Sequence, residues 1–142
     1  MTRFSTSMAA LLFAVSLASV ALAGGRPRPD DAILYIVSPA DGATVSSPFV
    51  VNFGLRGMGI APAGYHTPTT GHHHLLIDVD ELPMADVPIP SDEHHIHFGG
   101  GQTETSLTLP PGQHTLQLVF GDMTHLMFDP PLTSKQIKIT VK

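Results

Sequence analysis

The sequence contains no cysteine. That excludes disulfides, thiolate zinc sites and iron–sulfur clusters, so any bound metal must take nitrogen, oxygen or thioether ligands. Charge is sparse as well: charged residues make up 13% of the chain, seven Lys and Arg stand against twelve Asp and Glu, and the net charge is −5. No basic run breaks this pattern, which disfavours nucleic acid or an anionic lipid surface as a partner. The GxSxG and HExxH patterns are also missing, so neither a serine-hydrolase elbow nor a zinc-protease helix is available. Beyond the N-terminal stretch no apolar run is long enough to span a bilayer.

That N-terminal stretch is itself informative. Thr2 and Arg3 precede an apolar run from Met8 to Val20, then Ala21-Leu22-Ala23 sets small residues at the two positions a signal peptidase reads. The run is too short for a convincing membrane span, so residues 1–23 are expected to be a secretory signal peptide and no membrane insertion is expected. Cleavage after Ala23 would leave about 119 residues, the size of one domain. It would also place glycine at the new N-terminus, against a copper-oxygenase arrangement built on an N-terminal histidine. Residues 24–31, GGRPRPDD, have the composition of a flexible leader.

From residue 32 to 142, short runs of Val, Ile, Leu and Phe alternate with Pro and Gly clusters roughly every eight to twelve residues, the spacing of an all-β sandwich or barrel. The runs predict about seven strands, at 32–37, 48–55, 72–79, 94–98, 103–109, 114–120 and 135–141, arranged as a single immunoglobulin-like sandwich. That topology gathers the connections after the second, fourth and sixth strands at one end. The 56–71 loop, His72 to His74, His95 to His97 and the 121–134 loop should meet there, with His114 at the far end.

All nine histidines lie between positions 66 and 125, six of them in GHHHLLIDVD (71–80) and EHHIHF (93–98). Strand residues two apart share a face with Cα atoms roughly 6.6 Å apart, and an HxH pair can close on one ion because metal–nitrogen bonds are about 2.0–2.1 Å. His72 with His74, and His95 with His97, make two such pairs. Leu75, Ile77 and Val79 share the face of His73 instead. With GDMTH contributing His125, the expected metal ligands are His72, His74, His95, His97 and His125, and His73, His94, Asp122 and Met123 are further candidates. Imidazole ligands suit copper or zinc.

The competing reading is a structural or interaction module whose histidines tie loops together or form a pH-sensitive surface. Catalysis is left open; no residue pattern fixes a substrate, and the reading leans away from an enzyme.

The stretches SPADGATVSSPFVVNFGLRGMGIAPAG, TGHHHLLID, HIHFGGGQTET, LPPGQHTLQLVFGD and PPLTSKQIKITV, across residues 35–141, together resemble a bacterial exported family known as domain of unknown function 4399. The resemblance implies a periplasmic protein and carries no established activity. It also implies that His72, His73, His74, His95, His97 and His125 occupy positions where similar sequences carry histidine. After Asp122 this chain departs, reading DMTHLMF where relatives read like DHNHxPH, which leaves His125 as the ligand candidate of that loop.

Overall fold

A computed structural model describes residues 26–142. The expected signal peptide at 1–23 lies outside the described residues. Those residues form no helix and build two β-sheets packed as a sandwich. In chain order the strands are β1 Ile33–Ser38, β2 Thr44–Val45, β3 Phe49–Arg56, β4 Gly59–Ile60, β5 Thr70–Ile77, β6 His95–His97, β7 Glu104–Leu107, β8 Gly112–Gly121 and β9 Ile137–Val141. The seven expected strands are all present. β2 and β4 are two-residue additions, too short to carry an alternation that a sequence would reveal.

One sheet has the order β1-β3-β7; the other runs β2-β9-β8-β5-β4, with β6 also paired to β5. In a constant-type immunoglobulin sandwich the fourth main strand would lie beside β7. Here the corresponding β6 lies antiparallel to β5, with His74 opposite His97 and Leu76 opposite His95. β5 is thus flanked by β6 and β8, the latter pairing His72 with Gly121 and His74 with Val119.

Period-two alternation explains the main core. Leu34, Val51 and Phe53 from the smaller sheet meet Leu75, Ile77, Leu116, Leu118 and Phe120 from the larger one. β5 is buried without interruption from Gly71 to Ile77, as is the end of β8 beside it from Leu118 to Gly121. The inner face of β5 carries His73, Leu75 and Ile77. Its outer face carries His72, His74 and Leu76, roofed by loops: Ile89 from the β5–β6 connection and Met127 from the β8–β9 connection join Leu76 and Val119 in a second small core.

Of the leader expected at 24–31, the described residues 26–31 are tied to this roof by polar contacts. The amide of Asp129 donates to the Arg26 carbonyl at 2.9 Å and Arg28 Nε donates to the Pro130 carbonyl at 2.9 Å. Among the described residues no helix is long and apolar enough to cross a membrane.

A sandwich sheet normally wets its outer face, where substitutions change stability by about 0.5 kcal/mol or less. Val119 faces outward yet is fully buried. Val119→Thr, which keeps the shape and buries a hydroxyl, should therefore lower stability by about 1–3 kcal/mol in a urea titration; an unchanged midpoint would mean the roof is not packed.

Candidate metal centre

The register of β5 decides which histidines meet. His72 and His74 project from its outer face two residues apart, and His97 stands directly across from His74 on β6, within the short reach of cross-strand neighbours. The fourth ring comes from the turn after β8. Asp122 Oδ1 accepts hydrogen bonds from the Thr124 amide (2.7 Å), the Thr124 hydroxyl (2.7 Å) and the Leu126 amide (3.1 Å). Within this turn His125 adopts φ 69°, a left-handed conformation that non-glycine residues seldom take. Its carbonyl accepts from the Ile89 amide at 2.8 Å, which joins the two roofing loops.

The ring nitrogens of His72, His74 and His97 include a set lying within 4.8 Å of one another, so these three side chains can hold a metal ion. His72 Nε2 and His74 Nε2 are 3.1 Å apart. Adding His125 gives four ring centroids separated by 4.9 Å (His72–His74), 5.0 Å (His72–His97 and His74–His97), 4.7 Å (His97–His125), 5.0 Å (His72–His125) and 6.0 Å (His74–His125). The fourth ring is the outlier, 6.0 Å from His74, and the group whose ring nitrogens lie within 4.8 Å of one another is His72, His74 and His97 without it. Two glycines give these rings room. A Cβ on Gly121 would come within 3.0 Å of His74 Nε2, and a Cβ on Gly99 would overlap the His97 ring.

Burial governs the electrostatics. His72, His73 and His74 are fully buried. Desolvation pushes the His72 pKa down to about 4, assisted by the neighbouring His125 and His97 and opposed by the charge of Asp122. Desolvation and then its three companion rings push His74 down to about 2. His97 is lowered by desolvation and by His125. These imidazoles are consequently neutral at ordinary pH, with lone pairs free of proton competition.

The remaining candidates are placed elsewhere. His73 lies in the main core, its Nδ1 3.1 Å from the Gln102 carbonyl and its ring between Phe53 (5.1 Å) and Phe120 (5.2 Å); desolvation lowers its pKa to about 4. His95, expected among the ligands, shares the outer face but sits opposite Leu76, one pair farther along, where its Nδ1 bonds Asp92 at 2.8 Å. His94 Nδ1 bonds the Ile77 carbonyl at 2.9 Å. Asp122 is 3% exposed, and its Oδ1 is fully engaged in the turn that carries His125. Met123 contributes its backbone, its carbonyl accepting from the Gly64 amide at 2.9 Å. His114 is at the far end, bonded to Asp78 (2.7 Å) and the Pro110 carbonyl (2.9 Å).

Sequence reasoning missed Arg26, whose Nε lies 3.5 Å from Asp122 Oδ2, and Ile89, an apolar residue in a proline-rich loop. Ile89 could have been noticed as the one aliphatic residue between Pro88 and Pro90. No sequence signal marks Arg26.

The family described as domain of unknown function (DUF4399) matches residues 51–142, more than half of the chain, and the chain belongs to that family. No curated protein and no solved structure matches it.

The buried histidines make acid stability a direct probe of this arrangement. His72, His73 and His74 have folded-state pKa values below the ordinary 6.5. Their contribution is therefore complete above pH 6.5 and lost as pH falls toward about 4, with His74 continuing to lose stability below that. Each costs up to about 1.4 kcal/mol per pH unit in that window. His114, raised by its bond to Asp78, acts in the opposite direction, one histidine against four once His97 is counted with the three. The metal-free protein should show a urea midpoint falling steeply between about pH 7 and pH 5. His73→Leu should flatten that slope, and a midpoint independent of pH would contradict the buried neutral cluster.

Proposed function

We propose that this member of the DUF4399 family is an exported metal-binding protein that holds one transition-metal ion between His72, His74 and His97, with His125 as the fourth ligand. The observation that carries the reading is a contrast within one chain. His73, His94, His95 and His114 each pair a ring nitrogen with a carbonyl or carboxylate. His72 and His74 hydrogen-bond only to each other, and His72 Nδ1, His74 Nδ1 and His97 Nε2 are buried without a hydrogen-bond partner, as is the second nitrogen of His73, Nε2. A loop-stabilising network would satisfy its rings, because an unpaired buried polar group costs about 1–3 kcal/mol. A metal site instead converges them on one point.

Copper and zinc are the ions of choice, since both take imidazole and the chain offers no thiolate. Met127 is packed in the roof core and Met84 is exposed, so neither supplies a thioether. The N-terminal pattern supports export, and the role we assign is binding or handling of the ion outside the cytoplasm.

The test is metal content by mass spectrometry of residues 24–142 purified without a histidine tag, followed by titration with Cu(I), Cu(II) and Zn(II). About one equivalent of one ion should bind, and an ion present at a hundred times its dissociation constant should add about 2.7 kcal/mol of stability. His97→Ala should abolish stoichiometric binding. Gly99→Ala, which leaves every donor in place but crowds the His97 ring, should weaken it. A folded wild-type protein that binds only weakly and without stoichiometry would overturn the reading in favour of a structural or interaction module.

A further inference from the structure

A cation entering this site would meet imidazole rings and no ligating carboxylate, so its whole charge must be stabilised by groups farther out. One such group stands ready. Asp122 is 3% exposed, lies in the turn that presents His125, and acts electrostatically on His72. Its two oxygens do different work: Oδ1 organises the turn, whereas Oδ2 faces Arg26 Nε at 3.5 Å. That separation exceeds the roughly 2.7–2.9 Å of a tight charge-assisted hydrogen bond. The carboxylate is thus only partly neutralised. Arg26 itself is delivered from the far end of the sequence, its carbonyl fixed by the Asp129 amide at 2.9 Å and its neighbour Pro27 bridged to Asp129.

We propose that Asp122 and Arg26 form an outer charge pair that sets how strongly the histidine site discriminates between monovalent and divalent ions. Asp122 draws the cation and Arg26 opposes it. Coulomb energy is linear in the charge of the ion, so any change at either residue acts twice as strongly, in logarithmic terms, on Zn(II) as on Cu(I). By linkage, an ion in the site loosens the hold of Asp122 on Arg26, and the docked N-terminal segment disfavours the divalent ion. The inference rests on the metal-site reading above and assigns its specificity.

Asp122→Asn keeps an oxygen for the Thr124 and Leu126 amides and removes the charge; Arg26→Gln removes the opposing one. Affinities for Zn(II) and Cu(I) are measured by chelator competition on the 24–142 protein. Asp122→Asn should weaken Zn(II) about tenfold and Cu(I) about threefold, and Arg26→Gln should strengthen both in the same proportion. The double variant should return toward the wild-type ratio. Equal losses for both ions in both variants would mean that the pair merely holds the loop, and unchanged ratios would mean that it is too distant to act; either result overturns the inference while the site stands. A wild-type protein that takes up neither ion would overturn the site and this inference together.

Discussion

Burial of β5 on both faces is the constraint on which the rest of the structure depends. Its inner face needs the opposing sheet, which is the ordinary requirement of a sandwich. The outer face, with His72, His74 and Leu76, needs a second cover, and two long connections supply it through Ile89 and Met127. The amide of Gly64 bonds the Met123 carbonyl and that of Ala63 bonds the Gly99 carbonyl, which stitches a third loop to the same end. Three loops over one strand end make a partly enclosed chamber, in which His72 and His74 are fully buried and His97 and His125 half-buried. The fold and the candidate site are therefore one problem: the cover that completes packing is also what desolvates the histidines.

Much of this was legible in the residues. Alternation located the main strands, and the phase of Leu75 and Ile77 separated inward His73 from outward His72 and His74, as the core packing of His73 against Phe53 and Phe120 bears out. The choice between His95 and His97 was not legible. Both share a face, and only the register that sets His97 against His74 brings one of them to the chamber; such a register depends on a partner strand roughly twenty residues away and on a proline-rich connection with no alternation to read. The roof was hidden for a related reason. The β5–β6 connection begins with an acidic stretch in which Leu82 and Met84 are exposed, yet Val79 and Ile89 of the same connection turn inward. The Arg26 contact rests on a guanidinium meeting a carboxylate distant in sequence, which leaves no local trace.

The chamber is costly to the metal-free fold. Rings buried without partners lose their hydration and gain little in return, and His125 adds a left-handed backbone conformation, typically worth about 1–3 kcal/mol of strain. Elsewhere the chain pairs its histidines readily: His114 takes Asp78 and a carbonyl, and His95 takes Asp92. The exception is local: the unpartnered ring nitrogens belong to His72, His73 and His74 on β5 and to His97 on β6. Such concentrated local cost is the pattern of a site whose geometry is held ready for a ligand rather than relaxed around its own contacts.

How the chamber would adjust to an ion follows from what holds each donor. His72, His74 and His97 stand on paired strands, where cross-strand hydrogen bonds and close glycine contacts leave little freedom. His125 stands on a turn, and its ring is farthest from His74 at 6.0 Å. Closing the set around a small cation therefore falls mainly to the 122–126 turn. The same turn is organised by one oxygen of Asp122, whose other oxygen faces Arg26. Position and charge at the fourth corner thus pass through a single carboxylate. An ion that draws His125 inward must act on the carboxylate that orders its turn, and so on the segment that carries Arg26.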